Sequence, residues 1–344
     1  MQTESPSTIR FVEIACDESG SEGENLVGGN TDVFAHASVR LDTESATNCV
    51  QEIRSRIRSP ALEYKANHLL REKHRSVLRW LLGPSGPIHG HAHVQLTDKA
   101  FFVVGRVIDL LVGEADEAIS IGPAQDQHAK DMAVTLYREG QPALGREPWQ
   151  AFLESASDLM RTRNRLGVRA SVHPFVRMVD VLRPMSTRGR VGEVIGLLRQ
   201  ARPHAASFRA QLVGNPRMIP VLDLLIPAIV QAVTYWGEGG KPVAIVHDEH
   251  VSLTEDRIAQ LKEIVNKAHR GRLTSLRLVD SRLDSRVQIA DFLAGVARKI
   301  ASDELNRRGD AELIGLLRPY VDALSVWGDD RSWSVLGPAP STRS

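Results

Sequence analysis

Apolar positions in the first forty residues fall into two short runs with strand character. Ile9, Phe11, Val12, Ile14 and Ala15 dominate the first. This predicts a strand over Ile9 to Ala15 that ends at Cys16-Asp17-Glu18-Ser19-Gly20, where Ser and Gly favour a turn. The second run, Val33 to Leu41, alternates. Val33, Ala35, Ala37, Val39 and Leu41 form an apolar face, and Phe34, His36, Ser38 and Arg40 a more polar one. Gly28 and Gly29 between the runs suit a hairpin-like return. The period then changes: Ala46, Cys49, Val50, Ile53 and Ile57 recur at helical spacing, predicting a helix from about Glu44 that Pro60 ends.

After Leu62-Glu63-Tyr64-Lys65 comes a helical stretch through Leu69, Leu70, Val77, Leu78, Leu81 and Leu82, broken at Gly83-Pro84-Ser85-Gly86-Pro87. A third strand is predicted over Ile88 to Leu96, ending at Thr97-Asp98-Lys99, followed by a buried helix from Phe101 to Val112. Residues 126–239 have helical periodicity broken by Gly and Pro and no convincing strand. Within them, the apolar run Met218 to Trp236 is interrupted by Pro220, Asp223 and Pro227, which predicts a buried helix pair rather than a membrane span. Strand character returns in Pro242 to His247, ending at Asp248-Glu249. A helix over Leu253 to Ala268, a strand over Thr274 to Val279 ending at Asp280-Ser281, and a helix from Ser285 to Ser302 complete the pattern. This order predicts an α/β protein with a mixed sheet between helices.

Composition narrows the partners. At 344 residues the chain can bury a sizeable core, with 42% hydrophobic and 25% charged residues. The formal net charge of +1 gives no global field toward nucleic acid or membrane, so a nucleic-acid enzyme needs a local basic surface. Cys16 and Cys49 form no metal-like pair and suit a reducing, cytoplasmic setting. The opening MQTESPST lacks a leader pattern, and residues 1–8 and 336–344 read as flexible ends.

Acidic residues share one kind of position. Asp17, Asp98, Asp248 and Asp280 each sit at or just past an apolar strand's end, the edge where open α/β sheets bind ligands. Asp248 mirrors Asp17, and adjacent strands would bring the two carboxylates together. On the last helix, Gln288, Asp291, Gly295 and Arg298 share one face, while Ile289, Leu293, Val296 and Ile300 form another that should pack on the sheet. Asp291 thus borders the buried stripe, where a lone charge is expensive, and Gly295 allows another backbone or a ligand to approach. The plainer readings are an Asx turn at Asp17 and a salt-bridged Asp291.

Other chemistry is weaker. His89-Gly90-His91-Ala92-His93 would put three imidazoles on one strand face, as in a zinc or iron hydrolase, but no matching downstream set of histidines accompanies it, although His247 and His250 exist. P-loop, G-x-G-x-x-G and G-x-S-x-G motifs are absent. Arg161, Arg163, Arg165 and Arg169, followed by Arg183, Arg188 and Arg190, form a candidate grip on nucleic acid, with a solvated helix face as the alternative.

Asp17-Glu18-Ser19-Gly20, Glu63-Tyr64-Lys65, Asp98-Lys99, Asp248, and Asp280-Ser281 followed by Gln288-Ile289-Ala290-Asp291-Phe292-Leu293-Ala294-Gly295 together resemble the bacterial domain-of-unknown-function 3800 family. The resemblance covers residues 9–125 and 240–302, in order, and leaves the helical stretch 126–239 uncovered. It implies a ribonuclease-H-like core over 9–125 and 240–325, a mixed five-stranded sheet flanked by helices, with 126–239 as a large helical insertion. It further implies a metal-dependent nuclease. Asp17, Glu63, Asp248 and Asp291 would hold two Mg²⁺ or Mn²⁺ ions ~4 Å apart, with water as nucleophile. Glu18 would be an alternative ligand, Lys65 and Lys99 would face phosphate, Ser281 and Gln288 would support the ligands, and Asp98 could replace Glu63. RNA or DNA would be the substrate, and the insertion would select it, bind a protein partner or mediate self-association. The competing expectation is a non-catalytic nucleic-acid- or protein-binding module of a bacterial defence or mobile-element system.

Overall fold

The computed structural model describes residues 11–58, 65–113, 126–161, 171–186, 189–215, 218–267 and 272–339. In chain order the first elements are β1 (Val12–Ser19), β2 (Val33–Val39), α1 (Thr43–Ile57), α2 (Ala66–Leu69), α3 (Arg75–Leu82), β3 (Ala92–Asp98) and α4 (Lys99–Leu111). A block of helices follows: α5 (Gln127–Leu144), α6 (Arg146–Met160), α7 (His173–Leu182), α8 (Arg190–Gln200), α9 (Arg202–Gly214) and α10 (Leu225–Trp236). The chain then returns to the sheet with β4 (Pro242–Asp248), α11 (Glu255–Lys267), β5 (Arg272–Val279), α12 (Ser285–Leu305), α13 (Ala311–Leu317) and α14 (Asp330–Leu336). Among the described residues, 126–239 contain helices and no strand, as their periodicity predicts.

The strands form one five-stranded mixed sheet in the order β3-β2-β1-β4-β5. β1–β2 and β2–β3 are antiparallel, and β1–β4 and β4–β5 are parallel. Side chains alternate between two cores. Ala15, Val33, Ala35, Ala37, Val39 and Val246 pack against α1, α3 and α12. Ile14, Cys16, Phe34, Val243 and Ile245 pack against α4 and the helical block. α12 lies close on the first face because its buried stripe is rich in small residues, Ala290, Ala294, Gly295, Ala297 and Ala301.

Two expectations change, and the more polar face of β2 gains a cover. β1 starts at Val12 and continues to Ser19, because Ala15 to Ser19 pair with Val39 to Ala35; Asp17 and Glu18 therefore lie within the strand. The polar face of β2 is not solvated. Trp236 at the end of α10 covers it, its Nε1 donating to Ser38 Oγ at 2.8 Å, and His36 stacks on His247 with ring centroids 5.5 Å apart. The run from Met218 to Trp236 makes one helix rather than two, since Asp223 caps α10 by accepting the N–H groups of Leu225 and Ile226. No helix among the described residues is long and apolar enough to cross a membrane.

The outer edge of β3 is closed by the strap 321–326. Asp322 N donates to Val94 O at 2.8 Å, Val326 N to Leu96 O at 2.9 Å, and Asp98 N to Val326 O at 2.8 Å. The packed body extends past residue 325 through α14, where Leu336, expected to be flexible, is fully buried.

Candidate active site

β1 and β4 run parallel with Cys16 opposite His247, so Asp17 and Asp248 reach the same level at the carboxyl ends of central strands. Each follows a residue of the α4-facing side, which turns both toward the α12 face. There α12 supplies Asp291. Asp17 is 4% exposed, and its carboxyl is held well above the usual range, first by burial and then by the charges of Glu18, Asp291 and Asp248. Its Oδ1 accepts the Glu18 N–H at 2.7 Å. Asp248 Oδ1 accepts the Ser281 N–H at 2.9 Å, so Ser281 supports this carboxylate through its backbone. The Nζ of Lys65 sits 3.1 Å from Asp291 Oδ2. Three carboxylates foreseen from the sequence thus share one end of the sheet, with Lys65 beside them.

Gly295 explains how Lys65 gets there. A Cβ at this position would lie 2.4 Å from the Cβ of Ala66, the residue after Lys65, so α2 rests directly on the α12 backbone. In Gly295→Ala the two helices must separate. The expected cost is about 1–3 kcal/mol, read as a lower midpoint in denaturant unfolding; an unchanged midpoint would refute this close approach.

Glu18 occupies a different niche. Burial first, then the charge of Asp248, pushes its carboxyl up to about 7. Glu18 Oε2 is buried without a hydrogen-bond partner, as is His247 Nε2 at 3.8 Å from it. The His247 ring bonds through Nδ1 to Asp248 O at 2.9 Å, which makes Nδ1 the donor and leaves Nε2 a lone pair. His250 Nε2 lies 3.6 Å from Glu18 Oε1, and that ring also meets Ser21 Oγ at 3.2 Å and Ser252 Oγ at 2.6 Å. The sequence pattern assigns these two histidines no role. Their one signal was proximity to Asp248, immediately before it and two residues after it.

The remaining candidates lie elsewhere. Asp98 does not join the carboxylates. Register places Asp17 opposite Ala37 and Ala37 opposite Val94, so Asp98 is four residues farther along a strand two removed, roughly 16 Å away. It caps α4 through Phe101 N at 3.1 Å, and burial pushes it up to about 6. Lys99 faces no substrate. It is fully buried, donating to Thr31 O at 3.0 Å and Thr31 Oγ1 at 2.6 Å, with Glu22 Oε2 at 3.4 Å. Asp280 holds Arg282 in a two-pronged pair that lowers its carboxyl to about 2. Gln288 Nε2 donates to Arg282 O at 3.3 Å, bracing the turn before α12. His89 and His91 are exposed in the turn before β3, and only His93 enters the strand, bound to Asp322 Oδ2 at 2.9 Å, so the three imidazoles share no face. Arg161 is buried and bonded within the protein rather than offered to a ligand. Glu63, Arg163, Arg165, Arg169 and Arg188 lie outside the described residues.

No protein-family model matches the chain, and neither a curated protein nor a solved structure is detectably similar to it. Among the described residues, no three His, Cys, Asp or Glu side chains converge as they stand on a common ion position. In donor type and charge, however, the group fits a hard dication. Asp17, Asp248 and Asp291 offer carboxylate oxygens, and the negative charges of Glu18, Asp291 and Asp248 work against ionisation at Asp17, a repulsion that a dication offsets.

Proposed function

We propose that this protein is a divalent-metal-dependent nuclease with a ribonuclease-H-like core, related to the domain-of-unknown-function 3800 family. The observation that carries the reading is the meeting of Asp17, Asp248 and Asp291 at the carboxyl end of the two central parallel strands, where the charges of the other two bear on Asp17. Repulsion of this kind is relieved by a dication, and an all-oxygen donor set favours Mg²⁺ or Mn²⁺ over zinc. The five-stranded mixed sheet with helices on both faces supports the fold assignment.

Asp17, Asp248 and Asp291, with Glu63, would hold the metal. Bound there, the metal would activate water and stabilise the leaving oxygen of a phosphodiester. The protein's own groups fix the setting. Ser281 N–H orients Asp248, Glu18 N–H orients Asp17, and Lys65 places a cation within reach of Asp291 and of a phosphate bound beside it. The side of the sheet below the carboxylates is closed by packed apolar residues, which keeps the charges in a low-dielectric setting.

The test is incubation of the purified chain with single- and double-stranded DNA and RNA, in Mg²⁺, Mn²⁺ or EDTA. Cleavage of at least one substrate, dependent on metal and absent in EDTA, is expected. Metal-independent cleavage, or none under any condition, would remove the assignment and favour a non-catalytic binding module.

A further inference from the structure

The segment 20–32 leads directly from Asp17-Glu18-Ser19 to β2, and it is gripped at three places. At its start, Gly20 adopts φ +88°, and a Cβ there would lie 2.5 Å from Val33 O and 2.8 Å from Arg298 Cδ. Ser19 beside it accepts from Arg298 Nε at 2.9 Å. At its end, the buried Lys99 ammonium holds Thr31. Its middle belongs to the helical block. Leu26 and Val27 are buried in the same apolar core as the residues of α5–α10. The Arg161 guanidinium, just past α6, donates from Nε to Glu24 O at 2.9 Å and from Nη1 to Asp158 Oδ1 at 3.0 Å. Arg161 is only 3% exposed. Its own carbonyl is held by Arg209 on α9, which donates to Leu159 O as well, at 3.0 Å. Two buried guanidiniums thus run in series from α9 through Arg161 to the backbone of the segment that follows the first carboxylates.

We infer that the helical block sets the geometry of the carboxylate edge through this segment, with Arg161 as the positioning residue; the inference rests on the metal-nuclease reading above. Burying an arginine side chain is costly unless its donors are satisfied. Here Nε is spent on a main-chain carbonyl of the connecting segment and Nη1 on a carboxylate of the block itself. A shift of α6 or α9 therefore reaches Glu24, and along the chain Gly20, Ser19 and Glu18. A partner or substrate that engages the block would act on metal affinity at the sheet edge without touching a ligand.

The experiment compares Mn²⁺ binding to the full-length wild type, Arg161→Ala and Arg161→Lys by calorimetry and by the electron paramagnetic resonance signal of the bound ion, with amide exchange over residues 20–32 followed alongside. Arg161→Ala is expected to stay folded, to bind Mn²⁺ roughly 10-fold or more weakly, and to exchange faster in 20–32. Arg161→Lys, which keeps a cation but only one compact donor head, is expected to recover part of the affinity. Should Arg161→Ala lose thermal stability while folded protein binds Mn²⁺ as tightly as wild type, the arginine is merely structural and the inference is overturned. Should wild type itself bind no Mn²⁺, the metal reading fails, and this inference with it.

Discussion

Asp17→Asn is expected to lose the proposed nuclease activity by at least about 100-fold, the upper range for groups that only support a metal ligand, while the metal-free protein becomes no less stable. Asn keeps the size of Asp and can still accept the Glu18 N–H through its amide oxygen. What it removes is the charge, which is buried and set against Glu18, Asp291 and Asp248. In EDTA that removal relieves repulsion, so the melting temperature should hold or rise. In Mn²⁺ the wild type should be stabilised by ligand binding and the variant much less so. Activity lost together with several degrees of metal-free stability would make Asp17 a structural residue. Activity retained in Asp17→Asn would end the catalytic assignment.

The second large effect is a pH-dependent gain in Glu18→Gln. The folded-state pKa of Glu18 is raised to about 7, from an ordinary 4.5. The folded protein therefore holds this proton more tightly than the unfolded chain does. Its contribution is fully present below about pH 4.5 and is lost as pH rises through about 7. His247 runs the other way: burial lowers it to about 4, so its contribution is lost as pH falls below its ordinary 6.5. Wild-type stability alone would blend the two, and the variant separates them. Without metal, Glu18→Gln should exceed wild type at pH 8 by up to about 3 kcal/mol, and the gain should vanish near pH 4.5. Urea unfolding at several pH values in EDTA reads this directly. A difference that does not vary with pH would show that Glu18 carries no perturbed proton.

Much of the scaffold was legible in local pattern. The strands from Val33 and Pro242, the strand over Thr274 to Val279 and α12 follow from period and punctuation, and Asp17, Asp248 and Asp291 could be singled out because strand ends and a helix margin are places where a charge needs a reason. What was not legible depended on partners distant in sequence. The length of β1 is set by pairing with β2, not by its own Ser-Gly signal. The polar face of β2 is buried because an aromatic nearly two hundred residues later donates to Ser38. Asp98 shares a strand-end position with Asp17 in sequence, but β3 lies two strands from β1 and register sets Asp98 four residues farther along, and Lys99 and Arg161 read as phosphate ligands because a cation's burial is invisible in sequence. The roles of His247 and His250 emerge only with Glu18 between them.

The parallel partnership of β1 with β4 also governs how the molecule can be made. Val12 pairs with Val243, and the strap that seals β3 arrives later still, at residues 321–326. Contacts so remote in sequence are slow to form. During synthesis β1, β2 and β3 emerge with one side of the central strand unpaired and the outer edge uncovered, while the helical block can condense from local contacts. The free side of β1 stays open until β4 emerges and the outer edge of β3 until residues 321–326 do, so truncation before the strap should yield a sticky, self-associating product rather than a smaller stable one.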